Sequence, residues 1–157
     1  MAERPQPIPP RRHGITITRV FDAPRERVWK EWTEPERFAD WFGGPESEVP
    51  VASVAMDVRP GGAWRCTMLA GPARREIQWK GDYQEVKEPE RLVFTLSDEP
   101  GGDLYELVSV VLTDLGDGRT EMTFHTTAEM TAEMLRTATG GLASAFDRLT
   151  DHLERRT

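Results

Sequence analysis

Near residue 130 the hydrophobic period of this chain changes, and that change limits the fold more than any other feature. Downstream, Met134, Ala138, Gly141, Leu142, Ala145, Leu149 and Leu153 recur at intervals of three and four, with Glu, Arg, Asp and Thr filling much of the other face. This spacing predicts one amphipathic helix over residues 131–155, with Thr131 available as its cap. A helix with a single apolar stripe needs a surface to cover that stripe. Inside it, Gly140-Gly141 costs about 1 kcal/mol per glycine relative to alanine. The pair weakens or kinks the helix, or lets another backbone or a ligand come close.

Upstream the period is two. Residues 15–21 alternate with β-branched side chains and read as a strand. Asp22 and Pro24 punctuate it as cap and first-turn residue of a short helix over 25–32, whose apolar side is Val28, Trp29 and Trp32. Thr33, Pro35 and Glu36 repeat the signal as a capping box for a second short helix carrying Phe38, Trp41 and Phe42, stopped by Gly43-Gly44-Pro45. Strand-like runs follow at 49–58, 63–70, 75–86, 91–97, 104–113 and 120–127, separated by turns rich in Gly, Pro and Asp. The expected class is therefore α+β. A seven-stranded curved antiparallel sheet wraps the long C-terminal helix, and two short helices follow the first strand. With 157 residues, 38% of them hydrophobic, one such domain over 15–157 uses the whole core supply. Residues 1–14, with four prolines and one isoleucine, read as a flexible tail.

Composition removes several functions. The single cysteine, Cys66, excludes an intrachain disulfide and a multi-cysteine metal site. His13, His125 and His152 show no metal-ligand spacing and read as surface or rim residues, so no metal and no cofactor is expected. A net charge of -7 argues against nucleic acid as a partner. Gly61-Gly62, Gly101-Gly102 and Gly140-Gly141 are pairs without a phosphate-loop pattern. There is no apolar run of membrane-spanning length and no secretory h-region, so the expected location is cytoplasmic, with no membrane partner. The bias of 17 Arg to 3 Lys suggests a GC-rich bacterial coding sequence.

What remains is the predicted inner face. Trp64, Trp79, Tyr83, Phe94 and Phe124 share it by parity, and Trp41 joins them from the second short helix, while Trp29 and Trp32 seat the first one. Such rings either fill a core or wall a pocket. Met56, Met68 and Met122 would give adaptable walls, and Cys66, alternating between Trp64 and Met68, would be a small buried wall residue. Glu106 has the parity of Val108, Val110 and Leu112. It either reaches water at the rim or is an inward carboxylate whose pKa should rise, with Tyr83 as the expected partner.

Several motifs stand in a recognisable order. They are Arg19-Val-Phe-Asp-Ala-Pro24 with Val28-Trp29, residues 35–41, Asp57-Val-Arg-Pro-Gly-Gly-Ala-Trp64, Gly81-Asp-Tyr-Gln-Glu-Val86, Pro89-Glu-Arg-Leu-Val-Phe-Thr95, Gly118-Arg-Thr120 and residues 142–153. In these, residues 15–155 resemble the START-like (SRPBCC) superfamily with its helix-grip fold, and within it proteins similar to the activator of the 90-kDa heat-shock-protein ATPase. The resemblance implies a cavity between the sheet and the last helix, with Gly141, Leu142 and Ala145 on its helical wall, and a homodimer. Members often carry a Gly-Trp pair early in that helix. Here the place reads Gly140-Gly141-Leu142, which would enlarge or reshape the cavity mouth. The expected function is a carrier or sensor of an apolar or aromatic small molecule. The alternatives are a cyclase-, dehydratase- or hydrolase-type enzyme with Glu106 as acid/base and Tyr83 as orienting donor, and a co-chaperone-like interaction module implied by the resemblance alone.

Overall fold

The computed structural model describes residues 14–43, 47–99, 106–127 and 132–155; for 98–99, 132–135, 137–138 and 155 the backbone alone is described. The tail residues 1–13 with His13, the stop residues 44–45, the loop pair at 101–102, the start of the strand expected at 104 and the cap at 131 lie outside these residues, as do the side chains of Met134 and Ala138.

The chain runs β1 (Ile15–Phe21), α1 (Arg25–Thr33), α2 (Pro35–Trp41), β2 (Ser47–Glu48), a short 3-10 turn (Val51–Ser53), β3 (Ala55–Met56), β4 (Ala63–Ala70), β5 (Arg75–Lys87), β6 (Arg91–Glu99), β7 (Glu106–Asp114), β8 (Thr120–Thr126) and α3 (Ala132–Arg155). The strands form one antiparallel sheet in the order β1-β8-β7-β6-β5-β4-β2, with β3 also on β4. The expected α+β class and sheet-on-helix architecture are present, with eight strands where seven are expected. The difference lies at 49–58. Pro50 offers no N–H to a ladder, so the backbone turns there. The Ser53 hydroxyl fastens the turn, donating to the Pro50 carbonyl at 2.7 Å and accepting from the Thr67 N–H at 3.0 Å. The expected single strand is thus two short pairings separated by this turn.

Both helix starts also differ from expectation. Pro24 itself, not Asp22, holds the N-cap of α1 and has no side-chain cap bond. Its carbonyl accepts from the Arg27 and Val28 N–H groups. Thr33 belongs to the end of α1, where its hydroxyl donates to the Trp29 carbonyl at 2.9 Å. Glu34 takes the N-cap of α2 ahead of Pro35, so no capping box forms.

Inner-face parity decides the core. Trp64 and Cys66 from β4, Leu92 and Phe94 from β6, Val108, Val110 and Leu112 from β7, and Met122 and Phe124 from β8 are buried against Ala145, Phe146, Leu149 and Leu153 of α3. Arg19 and Arg27 tie the helix down. Arg19 reaches Asp147 at 3.0 Å and the Ala143 carbonyl at 3.2 Å, and Arg27 donates to the Leu153 carbonyl at 2.7 Å.

Candidate functional site

α1 and α2 cover only part of the space between sheet and α3. At their end, Trp32 and Phe38 pack down toward Trp64, Tyr83, Leu92, Phe94 and Met56, leaving a crevice of about 10 Å³, room for one water at most. Beyond them lies a pocket of about 300 Å³. Its floor is Met68 of β4, Trp79 of β5, Phe94 and Leu96 of β6, Glu106 and Val108 of β7, Phe124 and Thr126 of β8 and Ile15 of β1. Trp32, Trp41, Phe42 and Gly43 close one side, and Gly141, Leu142, Ala145 and Phe146 form the helical wall. Gly141 is exposed, and a Cβ there would meet nothing within 4 Å, so the pocket reaches the surface beside the glycine pair.

Nine of the fourteen residues expected around a ligand sit in this wall: Trp41, Met68, Trp79, Phe94, Glu106, Phe124, Gly141, Leu142 and Ala145. The other five do not. Met56, Trp64 and Tyr83 line the narrow crevice, and Cys66 and Met122 are packed core outside the pocket. Trp32, expected only to seat α1, lines both spaces. Ile15, Phe42, Gly43, Leu96, Val108, Thr126 and Phe146 are wall residues that sequence reasoning missed. Phe146 follows Leu142 at helical spacing and Leu96 shares the parity of Phe94, so both carried a signal.

Glu106 faces inward as parity predicts, in the pocket wall beside Thr126 and apart from Tyr83. The Thr126 hydroxyl, on the adjacent strand, donates to Glu106 Oε1 at 2.9 Å. Tyr83 belongs to the crevice, so the pocket does not bring the two expected acid/base residues together. Burial, with the Asp57 charge adding to it, raises the Tyr83 phenol above its usual range. Burial alone pushes the Cys66 thiol up to about 12, which keeps it protonated and unreactive at neutral pH.

A second polar centre sits beside the pocket. Glu31 is buried to 1% exposure, its Oε1 is 2.6 Å from His152 Nδ1, and its Oε2 is 3.5 Å from an Arg37 guanidinium nitrogen. His152 Nε2 lies 3.1 Å from Asp40, so this histidine, expected as a surface or rim residue, is a partly buried one whose pairings join three helices. The Glu31 carbonyl accepts the Trp41 indole N–H at 3.0 Å, which fixes one pocket wall to this cluster. Among the described residues, no group of three or more His, Cys, Asp or Glu is arranged to hold a metal ion. No helix among them is long and apolar enough to cross a membrane.

Comparison with known proteins bears on this architecture. A family model described as Activator of Hsp90 ATPase homolog 1-like protein matches residues 22–154. No curated protein matches the chain. Among solved structures, protein CV1439 from Chromobacterium violaceum is similar at 23% identity with a TM-score of 0.80, covering 90% of this chain and 98% of its own. An AHSA1 protein from Silicibacter pomeroyi is similar at 18% identity and a TM-score of 0.79, covering 92% of this chain and 100% of its own. Protein Ms6760 from Mycobacterium smegmatis shares 26% identity at a TM-score of 0.74, covering 89% of this chain and 90% of its own.

Proposed function

Because the chain belongs to the Activator of Hsp90 ATPase homolog 1-like family, we propose that it is a cytoplasmic carrier or sensor that holds one apolar or aromatic small molecule between sheet and α3. The observation that carries this reading is the 300 Å³ pocket, walled by rings and aliphatic side chains and open beside Gly141. Well-packed domains leave few voids larger than a water, so space of this size among buried rings has the dimensions of a ligand pocket. An engineered cavity of about 150 Å³ holds benzene, so about 300 Å³ suits a body of about a dozen non-hydrogen atoms, two fused rings or their equivalent.

The enzyme alternative keeps Glu106 in the wall but loses Tyr83 as its orienting donor, and no other feature favours it. The family description points to activation of a heat-shock ATPase, a role that needs a docking face. Among the described residues, the large exposed apolar side chains are Val20 on β1, Val51 on the 3-10 turn, Leu107 on β7 and Leu115 in the loop after it, scattered as single surface residues are.

Titrating the chain with a panel of two-ring aromatic compounds tests the reading, followed by quenching of tryptophan fluorescence and by thermal shift. Saturable binding with a raised Tm is expected. Gly141→Leu places its side chain in open space at the mouth. It should raise stability by about 1 kcal/mol through helix propensity while weakening binding tenfold or more. No binding by any member, or undiminished binding in the stabilised variant, contradicts the reading.

A further inference from the structure

Of the described residues in the pocket wall, one carries a formal charge: Glu106, at an inward position of β7. No lysine, arginine or histidine stands among them. Glu106 is half-buried, so its carboxylate is not sealed in the core as that of Glu31 is. Its neighbour across the strand pair holds it in place. The buried Thr126 hydroxyl on β8 donates to Glu106 Oε1 at 2.9 Å, the nearer of two acceptors for its one proton, the other being the Thr127 carbonyl at 3.2 Å. An ionised carboxylate accepts only, through about four lone-pair sites, so one hydroxyl leaves it capacity for a further donor. The aromatic wall agrees in sign. Trp41 gives its indole N–H to the Glu31 carbonyl at 3.0 Å, and Nε1 of Trp32 and of Trp79 is buried, so these tryptophans meet an occupant through ring carbon and not through a donor. A ring face attracts a cation.

We propose that the occupant's apolar ring body carries a protonated amine, and that the Glu106 carboxylate, steadied by Thr126, is the group that receives it. The proposal rests on the small-molecule reading above and narrows the ligand class to ring-bearing amines that are cationic at neutral pH. An ammonium N–H donating to a carboxylate makes a charge-assisted bond, about twice as strong as one between neutral groups. A ligand carboxylate of the same bulk brings a second negative charge beside Glu106, with no cation among the described wall residues to offset it. The wall thus sorts ligands by sign of charge through one attractive and one repulsive effect of the same residue.

The test uses three probes of nearly one shape: 1-(2-naphthyl)ethylamine, which is cationic, 2-acetylnaphthalene, which is neutral, and 2-naphthoate, which is anionic. Affinities are measured at neutral pH in about 0.15 M salt, where attraction to distant surface charge is screened. The amine should bind about tenfold or more tighter than the ketone, and the naphthoate more weakly than the ketone. In Glu106→Gln the amine-to-ketone ratio should fall about tenfold, while the ketone affinity stays within about twofold. This variant also separates the pocket carboxylate from the net charge of -7, of which it removes one unit. If the variant fails to fold, intermolecular NOEs in the unaltered chain decide. The methine and methyl hydrogens of the amine should lie against the Thr126 methyl group, and an amine seated away from it overturns the assignment. Equal binding of amine and ketone, or a ratio unchanged in Glu106→Gln, overturns this inference and leaves pocket binding standing. Failure of all three probes to bind overturns it together with the small-molecule reading.

Discussion

Replacing His152 with Leu lowers the unfolding free energy by about 3 kcal/mol, and replacing Glu31 with Leu in the same chain restores most of that loss. The reason is an asymmetry in buried charge. Glu31 is fully enclosed, and its close contacts are His152 at 2.6 Å and the Arg37 guanidinium at 3.5 Å. Removing the histidine strands a carboxylate where water cannot reach it. Removing both partners leaves two apolar groups of similar bulk in a tryptophan-rich wall. The exposed Asp40 contact adds little, since Asp40 is 62% exposed and screened by solvent. Urea unfolding of the two single variants and the double variant measures the cycle. A cost below about 1 kcal/mol for His152→Leu, or a double variant no better than the single, would show that Glu31 does not depend on this pairing.

Gly81→Ala is the second large effect, with an expected loss of about 3 kcal/mol. Gly81 on β5 stands opposite Trp64 on β4. The Trp64 indole reaches across it to donate to the Thr95 carbonyl on β6. A Cβ at Gly81 would collide with that carbonyl oxygen and come within 2.7 Å of the indole nitrogen. Either β5 and β6 separate or the indole leaves, and both outcomes disturb the partly buried Trp64–Thr95 bond beside the narrow crevice. Gly140→Ala provides the contrast, since its Cβ meets nothing within 4 Å and helix propensity should then raise stability by about 1 kcal/mol. Calorimetry on both variants, with near-ultraviolet circular dichroism to follow the tryptophans, checks the pair. Two alanine variants of equal stability would refute the steric account.

Parity made much of the site legible. It put Glu106 inward with Val108, and it grouped Met68, Phe94 and Phe124 on one face before any contact was known. Parity says which face a side chain takes but not how far along the sheet a second layer covers it. Trp64, Tyr83 and Met56 have the right parity and still miss the pocket, because Trp32 and Phe38 from the short helices close that end. The Phe38 ring stands 6.1 Å from that of Trp64. Trp32 was assigned to seating a helix, yet it also ends α1 against the void. The buried Glu31 had a signal at spacing three from Val28, as His152 had from Leu149, but their pairing joins positions 121 apart and only the packed helices bring them together.

The methyl signal of Met68 tests the central claim most directly. Met68 lines the 300 Å³ pocket, Met56 lines the crevice, and Met122 is enclosed core. In a chain labelled with 13C-methyl methionine and titrated with 2-acetylnaphthalene, a molecule seated between sheet and α3 moves the Met68 signal saturably and leaves Met56 and Met122 nearly still. A Met68 signal that stays fixed while the compound binds elsewhere, or while nothing binds, contradicts the assignment of this pocket as the binding site.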